Sequence, residues 1–205
     1  GIVRRIADRV CVMKQGEIVE HGSAQQVLNS LYQIQEIVVD GQPVNALVAV
    51  NAQGVTIIAE NIAYILGHEG SDVLVGNNNA GTISAAAGAD YLEARAGDDN
   101  LLGGDGNDHL NGGDGNDILQ GDAGDDIVFG EEGIDTLIGG VGNDFMHAGS
   151  GDDIIAGGDG NDYIIAGGGI DAISGDAGND TIDGGYGDDS IVGGEGNDLV
   201  LGNLG

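Results

Sequence analysis

One residue type recurs in this sequence at a spacing that metal-binding chemistry could use. Aspartate occupies fourteen of the fifteen positions on a nine-residue register that runs from residue 72 to residue 198, and Gly81 occupies the remaining position. The fourteen are Asp72, Asp90, Asp99, Asp108, Asp117, Asp126, Asp135, Asp144, Asp153, Asp162, Asp171, Asp180, Asp189 and Asp198. Carboxylates that lie side by side repel one another unless a cation lies between them. If the fold brings these positions together, the register predicts a row of cation sites with these aspartates as ligands.

The surrounding residues favour a hard cation. The chain contains 42 glycines and 35 acidic residues, but one cysteine and four histidines. Carboxylates and the main-chain carbonyls of glycine turns suit Ca²⁺, which takes roughly six to eight oxygens at about 2.3–2.6 Å. Zn²⁺ prefers Cys and His, and Mg²⁺ requires a stricter octahedral geometry. The expected cofactor is therefore Ca²⁺.

The aspartates belong to a longer nine-residue repeat, which holds from Gly67 to Leu201 in fifteen units without an insertion or deletion. Units such as GGDGNDHLN at 103–111 show its full form. Position four is glycine in every unit but one, and position eight is always Leu, Ile, Val or Met. Glycine permits tight turns, and a three-residue strand with an aliphatic residue at its centre directs that side chain inward.

The pattern Gly-Gly-x-Gly-x-Asp-x-aliphatic-x resembles the calcium-binding nonapeptide of the RTX, or haemolysin-type, repeat family. The resemblance implies an all-β fold, a parallel β-roll. In each unit the first six residues turn and the last three form a strand, and two units complete one coil. Loops eighteen residues apart then stack, so that Asp108 lies beside Asp126. Fifteen units allow thirteen stacked loop pairs, and Gly81 leaves up to twelve pairs with two aspartates.

Ordinary turn chemistry is the alternative explanation, because Asp and Asn both favour turns. It does not explain why position six is never Asn although position five is Asn in six units. An EF-hand does not fit either, since its loop has about twelve residues and ends in Glu. We expect weaker binding in the degenerate units between residues 76 and 102, and in the loops that carry Ile134 and Ile170 at position five.

Residues 1–30 follow a different pattern. They predict a short helix, a strand, a turn at Gly16, a second strand and a helix that begins at Ser23, which together form a small mixed α/β remnant. The segments ADRV at 7–10 and IVEHG at 18–22, with Met13 and Gly16, resemble the C-terminal end of a peptide-type ABC transporter ATP-binding subunit. The only lysine, Lys14, is not part of a Gly-Lys-Ser/Thr phosphate loop, so no ATP binding is expected.

Residues 31–66 contain β-branched runs separated by Asp40-Gly41 and Gln53-Gly54, which predict hairpins. Repeat arrays need atypical ends that cover the terminal core, so this segment is expected to be a β-rich linker and N-terminal cap. The predicted parts are therefore 1–30, 31–66 and 67–205. Because the sequence lacks an initiating Met and begins a sixteenth unit at Gly202, we expect it to be part of a longer protein.

Charge and composition exclude several classes of function. The net charge is −30, of which −28 falls on residues 67–205, so nucleic acid is not an expected partner. No apolar run reaches the roughly 20 residues of a membrane span. The four histidines form no HExxH motif and are interpreted as surface residues, and the lone Cys11 cannot form an internal disulfide. We expect no enzymatic activity.

One outer face of the predicted roll differs from the other. Positions seven and nine of the odd-numbered units carry ten apolar residues in sixteen positions, among them Tyr91, Phe129, Phe145 and Tyr163. These positions in the even-numbered units carry no aromatic residue. Two interpretations stay open. Either a protein partner or a neighbouring domain covers this face, or the residues are there because they favour β-strands.

The expected function is calcium-ion binding by an RTX module that folds on Ca²⁺ binding outside the cell and has a structural or adhesive role. The alternative is the repeat portion of a larger secreted enzyme or toxin (a protease, lipase or haemolysin) whose catalytic domain lies elsewhere. Both imply an extracellular protein, secreted or at the cell surface. The expected route is type I secretion, with the signal outside this sequence.

Overall fold

The computed structural model describes residues 10–14, 17–22, 32–39, 42–49, 56–59 and 64–202, and all regular elements in these ranges are strands. Before the array lie β1 (Val10–Lys14), β2 (Glu17–Gly22), β3 (Tyr32–Val39), β4 (Gln42–Ala49) and β5 (Thr56–Ala59). The roll consists of β6 (Tyr64–Leu66), β7 (Val73–Val75), β8 (Thr82–Ala87), β9 (Tyr91–Ala96), β10 (Asn100–Asp105), β11 (His109–Asp114), β12 (Ile118–Ala123), β13 (Ile127–Glu132), β14 (Thr136–Val141), β15 (Phe145–Ser150), β16 (Ile154–Asp159), β17 (Tyr163–Gly168), β18 (Ala172–Ala177), β19 (Thr181–Asp183), β20 (Ser190–Val192) and β21 (Leu199–Leu201). No helix that could cross a membrane occurs among these residues.

The strands form two sheets, between which the chain alternates. One sheet has the order β2-β1-β5-β7-β9-β11-β13-β15-β17-β19-β21, and the other has the order β20-β18-β16-β14-β12-β10-β8-β6-β4-β3. From β6 onward neighbouring strands are parallel and pair residues eighteen apart, as in Asn100 with Ile118 and His109 with Ile127. One coil therefore contains two nonapeptides, which confirms the predicted β-roll.

The strands are longer than the three residues expected. The eleven strands from β8 to β18 each have six residues and run from position seven through position three of the next unit. Positions eight and one are both buried on these strands, for example Leu92 and Ala94 on β9. Position one therefore continues the inward face of the pleat, and only positions four to six form the turn. The expectation of a six-residue turn was wrong on this point.

The core between the two sheets consists mainly of position-eight side chains, with alanines at position one in four units. From Leu74 to Ile182 the position-eight residues are at most 3 % exposed. They are Leu74, Ile83, Leu92, Leu101, Leu110, Leu119, Val128, Leu137, Met146, Ile155, Ile164, Ile173 and Ile182. In the last coil the same position is more open, since Val200 is 43 % exposed. One buried aliphatic side chain in each unit gives a thin core, worth about 1.5–3 kcal/mol for each residue before entropy is subtracted.

The described strands before the array extend both sheets. Strand β5 pairs in parallel with β7, and β4 pairs in parallel with β6. Beyond them β1 pairs with β2 and β3 pairs with β4, both antiparallel, which confirms the strand pairs predicted around Gly16 and Asp40-Gly41. The two predicted helices of residues 1–30 lie outside the described residues. The hairpin predicted at Gln53-Gly54 was wrong, because β4 and β5, the strands on either side of it, lie in different sheets.

Gly160, at position four, tests whether the turns stack directly on one another. Its φ is +146°, and an added Cβ would overlap the carbonyl oxygen of Gly142 in the preceding coil. We expect Gly160→Ala to lower the free energy of unfolding by roughly 2–4 kcal/mol, through backbone strain and a forced separation of two coils. Urea unfolding followed by circular dichroism in excess calcium measures the change.

Gly168 is the matched control, because a Cβ there meets no atom within 4 Å. Gly168→Ala should change the free energy of unfolding by no more than about 0.5 kcal/mol. Equal losses for the two variants would contradict the stacking of position-four glycines.

Candidate metal centre

Most of the predicted aspartates lie buried at the point where each turn enters a strand. The twelve from Asp72 to Asp180 are at most 6 % exposed, whereas Asp189 and Asp198, near the C-terminal end of the roll, are half-buried. The carboxylates form two columns, one along each side of the roll, because consecutive units alternate between the two sheets. Burial of so many carboxylates is unusual unless each is compensated.

Each carboxylate is tied to the preceding coil by a main-chain hydrogen bond. The N–H of Asp108 donates to Oδ1 of Asp126 at 2.7 Å, and the N–H of Asp126 donates to Oδ1 of Asp144 at 2.8 Å. The same bond joins all twelve stacked pairs that carry two aspartates, at 2.6–3.0 Å. The structure thus brings together the pairs that the eighteen-residue spacing predicts.

In most of these aspartates the second carboxylate oxygen has no hydrogen-bond partner. Eleven aspartates have a buried Oδ2 without a donor: Asp90, Asp99, Asp108, Asp117, Asp126, Asp135, Asp144, Asp153, Asp162, Asp171 and Asp180. A buried carboxylate oxygen without a partner is costly, because it has lost its water and gained nothing in exchange. A cation or a proton at Oδ2 would remove this cost.

Oxygens converge on the residue at position one, which is glycine in most units. A Cβ on Gly103 would lie 2.5 Å from Oδ2 of Asp108 and 2.8 Å from the carbonyl oxygen of Gly121. We call this oxygen-lined space a cradle and name it after its aspartate. The arrangement recurs at Gly67, Gly121, Gly130, Gly139, Gly157 and Gly175. Glycine at position one thus leaves room beside the carboxylate that any side chain would fill.

The donor set is suited to calcium. Among the described residues, no group of three or more His, Cys, Asp or Glu side chains is placed to hold one metal ion. An ion between two loops therefore finds at most two carboxylates and takes its other ligands from carbonyl oxygens or water. Such an all-oxygen set fits Ca²⁺ and does not fit Zn²⁺.

The electrostatics of the carboxylate columns favour an added positive charge. Burial, opposed by the accepted main-chain hydrogen bond and reinforced by the charges of neighbouring aspartates, raises the pKa of Asp126 and Asp135 to about 7. The same balance raises the pKa of Asp99, Asp108 and Asp162 to about 6. Desolvation and like-charge repulsion both disfavour the ionised form, and a bound cation counteracts both.

Position five supports the loops in a way that sequence reasoning missed. Its side-chain oxygen accepts a hydrogen bond from the N–H eighteen residues later, as when Asn161 donates to Oδ1 of Asn143 at 3.0 Å. On one side of the roll this ladder continues unbroken from Asp125 to Asn197. On the other side Ile134 and Ile170 receive such a bond but cannot pass it on. The frequency of Asn and Asp at position five was the available signal.

The outer face of the larger sheet carries rings in contact. Ring centroids lie 5.0 Å apart between Tyr91 and His109 and 5.6 Å apart between Phe145 and Tyr163. We call the whole set the aromatic ladder, and it consists of Tyr91, His109, Phe129, Phe145, His147 and Tyr163. Its two histidines lie on the outer face as expected, and the neighbouring rings partly bury them. Such cross-strand ring contacts stabilise a sheet.

Comparison with known proteins supports the repeat and not the N-terminal resemblance. No curated protein matches the chain. The family model of the RTX calcium-binding nonapeptide repeat, built on four copies, matches residues 66–101, 75–110, 102–137, 129–164, 138–173 and 165–200. These matches leave out residues 1–30, and the resemblance to an ABC transporter ATP-binding subunit is not borne out. Since the matches span 66–200, about two-thirds of the sequence, the chain belongs to the family of RTX calcium-binding nonapeptide repeats.

Proposed function

We propose that the array is a calcium-dependent folding module in which the paired aspartates hold up to twelve Ca²⁺ ions between stacked loops. The buried, unpartnered Oδ2 atoms carry this proposal, because six of the eleven lie in a cradle that a carbonyl oxygen also lines. These six belong to Asp108, Asp126, Asp135, Asp144, Asp162 and Asp180. Bound calcium would compensate the negative charges of both carboxylates of a pair. The Asp column would position the ion, and the main-chain bonds to Oδ1 would hold each carboxylate in place.

The charge balance explains why calcium would control folding. Residues 67–205 have a net charge of −28, and twelve Ca²⁺ ions would bring 24 positive charges. Each site filled at about ten times its dissociation constant adds roughly 1.4 kcal/mol by mass action. Calcium-binding modules of the extracellular space have dissociation constants of about 10⁻⁴–10⁻³ M. With such constants, the chain would stay unfolded in the cytosol and fold outside the cell.

The role we propose is extracellular and structural or adhesive, without catalysis by the array itself. The alternative is that the array belongs to a larger secreted protease, lipase or haemolysin. The gene sequence on either side of this chain distinguishes the structural or adhesive role from the alternative, because a catalytic domain encoded there would establish the alternative.

The aromatic ladder is the surface that we propose for a protein partner or a neighbouring domain. Tyr91 is 37 % and Tyr163 is 46 % exposed, and Ile127 beside them is 40 % exposed. A contiguous apolar strip on an otherwise acidic roll is typical of an interaction surface. Its contacts within the sheet also stabilise the roll, so both interpretations of these residues apply.

Calcium titration tests the folding proposal directly. In excess chelator at neutral pH the array should lack the β-sheet circular dichroism spectrum, because the empty carboxylate columns repel. Added calcium should restore that spectrum cooperatively, and magnesium at the same concentration should not. A full β-sheet spectrum in chelator at neutral pH would contradict the proposal.

Asp126→Asn and Asp198→Asn compare a central with a terminal ligand. Asn keeps the Oδ1 acceptor and removes the charge. Asp126 belongs to two stacked pairs and Asp198 to one. The central variant should raise the calcium midpoint of folding about twofold. The reason is that a loss of roughly 100-fold in calcium affinity at two of twelve cooperative sites is averaged over all twelve in the midpoint. The terminal variant should shift the midpoint less, because the last coil can fray alone. Equal midpoints, measured by circular dichroism, would contradict eighteen-residue pairing of the ligands.

Acid should partly replace calcium. The pKa of Asp126 and of Asp135 is about 7 in the folded chain, against an ordinary 3.8. A raised carboxyl pKa adds stability that is complete below 3.8 and is lost as the pH rises through the folded value. In chelator, the roll should therefore gain β-sheet circular dichroism on acidification from about pH 8 to pH 5. The control Asp126→Asn/Asp135→Asn should show a weaker pH dependence. If the stability of the roll in chelator increased with pH over this range, the raised pKa values of these buried aspartates would be contradicted.

A further inference from the structure

The two carboxylate columns lie along different sides of the roll, and the sides differ in the number of aspartate pairs. The first side carries the aspartates of the odd-numbered units, which are Asp72, Asp90, Asp108, Asp126, Asp144, Asp162, Asp180 and Asp198. The second side carries those of the even-numbered units, which are Asp99, Asp117, Asp135, Asp153, Asp171 and Asp189. On the second side Gly81 replaces a seventh aspartate. The first side therefore has seven stacked pairs with two aspartates, and the second side has five.

The residue at position one also differs between the sides. Where it is glycine in a unit with an aspartate at position six, an added Cβ would lie at most 2.8 Å from Oδ2 of that aspartate. This distance is well inside the roughly 3.5 Å at which nonbonded heavy atoms attract, so a side chain at position one competes with the carboxylate for space. Alanine takes position one in four units and is at most 1 % exposed there: Ala85, Ala94, Ala148 and Ala166. Only Ala85 is on the first side, so a methyl group fills this space beside three of the six second-side aspartates.

The position-five ladder is interrupted on the second side as well. On the first side each main-chain N–H from Asp125 to Asn197 at this position donates to the side-chain oxygen one coil earlier, at 2.7–3.1 Å. Four of these five steps have a second hydrogen bond, which Nδ2 of the asparagine donates. On the second side Ile134 and Ile170 have no side-chain oxygen, so the ladder stops at each of them. The loops of the first side are thus tied together by bonds that the second side lacks at these points.

These differences all favour calcium binding on the first side. The affinity of a calcium site depends on the number of charged ligands and on the rigidity of the loops that carry them. The second side lacks a ligand at Gly81, room at its three alanines and support at its two isoleucines. Its carboxylates themselves are equivalent, since Asp153 and Asp171 are 1 % exposed and have a buried Oδ2 without a partner. The contrast between the sides therefore lies in what surrounds each carboxylate.

We propose that calcium fills the two sides of the roll in order, first the run of first-side pairs from Asp108 to Asp198 and only at higher concentration the second side. Every unit in that run has glycine at position one and Asn or Asp at position five, whereas no two stacked units of the second side combine these features with the aspartate. The inference rests on the proposed calcium sites and adds the order in which they fill. Of the five units expected from the sequence to be weak, the structure gathers four on the second side.

The test compares Asp144→Asn/Asp162→Asn on the first side with Asp153→Asn/Asp171→Asn on the second, in the full chain. Each double variant changes two neighbouring aspartates of one column and three stacked pairs, and all four carboxylates are at most 2 % exposed. The two variants are therefore matched in lost charge, burial and place along the roll.

The first-side variant should raise the calcium midpoint of folding at least about threefold, because a roughly 100-fold loss at three of twelve sites is averaged over all twelve. The second-side variant should shift the midpoint by less than about 1.5-fold, since sites that are not yet filled at the midpoint add little to folding. Circular dichroism measures both midpoints. Equal shifts, or a larger shift for the second-side variant, would overturn the inference.

Calorimetric calcium titration of position-one variants tests the cause. Ala148→Gly/Ala166→Gly opens the space beside two second-side aspartates and should add ions to the tightest class of sites. Gly139→Ala/Gly157→Ala closes that space on the first side and should remove ions from this class. Neither glycine has a positive φ, so the exchange changes space and not backbone strain. The first of these variants only removes atoms, so it tests the proposal even if the second does not fold.

The titration of the original chain separates this inference from the proposed function. Two classes of site, of which the tighter is changed by the position-one variants, are the expected result. Calcium-dependent folding with a single class of site, or a tight class that neither position-one variant changes, would overturn the order of filling alone. An original chain that neither folds nor releases heat with calcium would instead refute the proposed function.

Discussion

The structure depends on placing like charges one coil apart inside a protein. Eleven aspartates of the columns, from Asp90 to Asp180, accept the N–H of the preceding coil with one oxygen and leave the other buried without a partner. The first interaction aligns the coils, while the second leaves a deficit that only a cation or a proton can remove. The main-chain hydrogen bonds between the coils are therefore in place, whereas the buried carboxylates have no counter-charge, which the proposed calcium ions would supply.

The glycine content follows from the same constraint. Position-four glycines allow successive turns to stack with positive φ, as Gly160 does on Gly142. Position-one glycines have a different task, because they face inward and leave the space in which Oδ2 and a carbonyl oxygen meet. In most units of nine residues, these two positions are therefore reserved for glycine, and one position, position eight, carries the aliphatic side chain of the core. The thin core is thus a consequence of the glycines at positions one and four, and it limits how much hydrophobic burial can stabilise the roll.

The sequence allowed prediction of the coil and of the paired aspartates, because a strict nine-residue period specifies both the stacking and the inward side chain. It did not allow prediction of strand length, since position one looks like a turn residue until its inward orientation is known. The position-five ladder and the ring contacts of His109 were missed for a related reason. A side chain that bonds or packs against a residue eighteen positions away is visible only when the coils are in register. The interpretation of residues 1–30 rested on local similarity without a period, and the comparisons did not support it.

Two ladders with opposite directions join each coil to its neighbours. Position six accepts from the coil before it, as Asp126 does from Asp108, whereas position five accepts from the coil after it, as Asn143 does from Asn161. The position-five ladder contains Asn and Asp side chains that are exposed to solvent, so its charged members such as Asp125 are stabilised by water. The position-six carboxylates are buried, so their charge needs compensation by a cation or a proton. Calcium therefore does not have to create the register between coils. Main-chain and position-five hydrogen bonds already specify that register. The role left to calcium is to offset the free-energy cost of burying carboxylates in it.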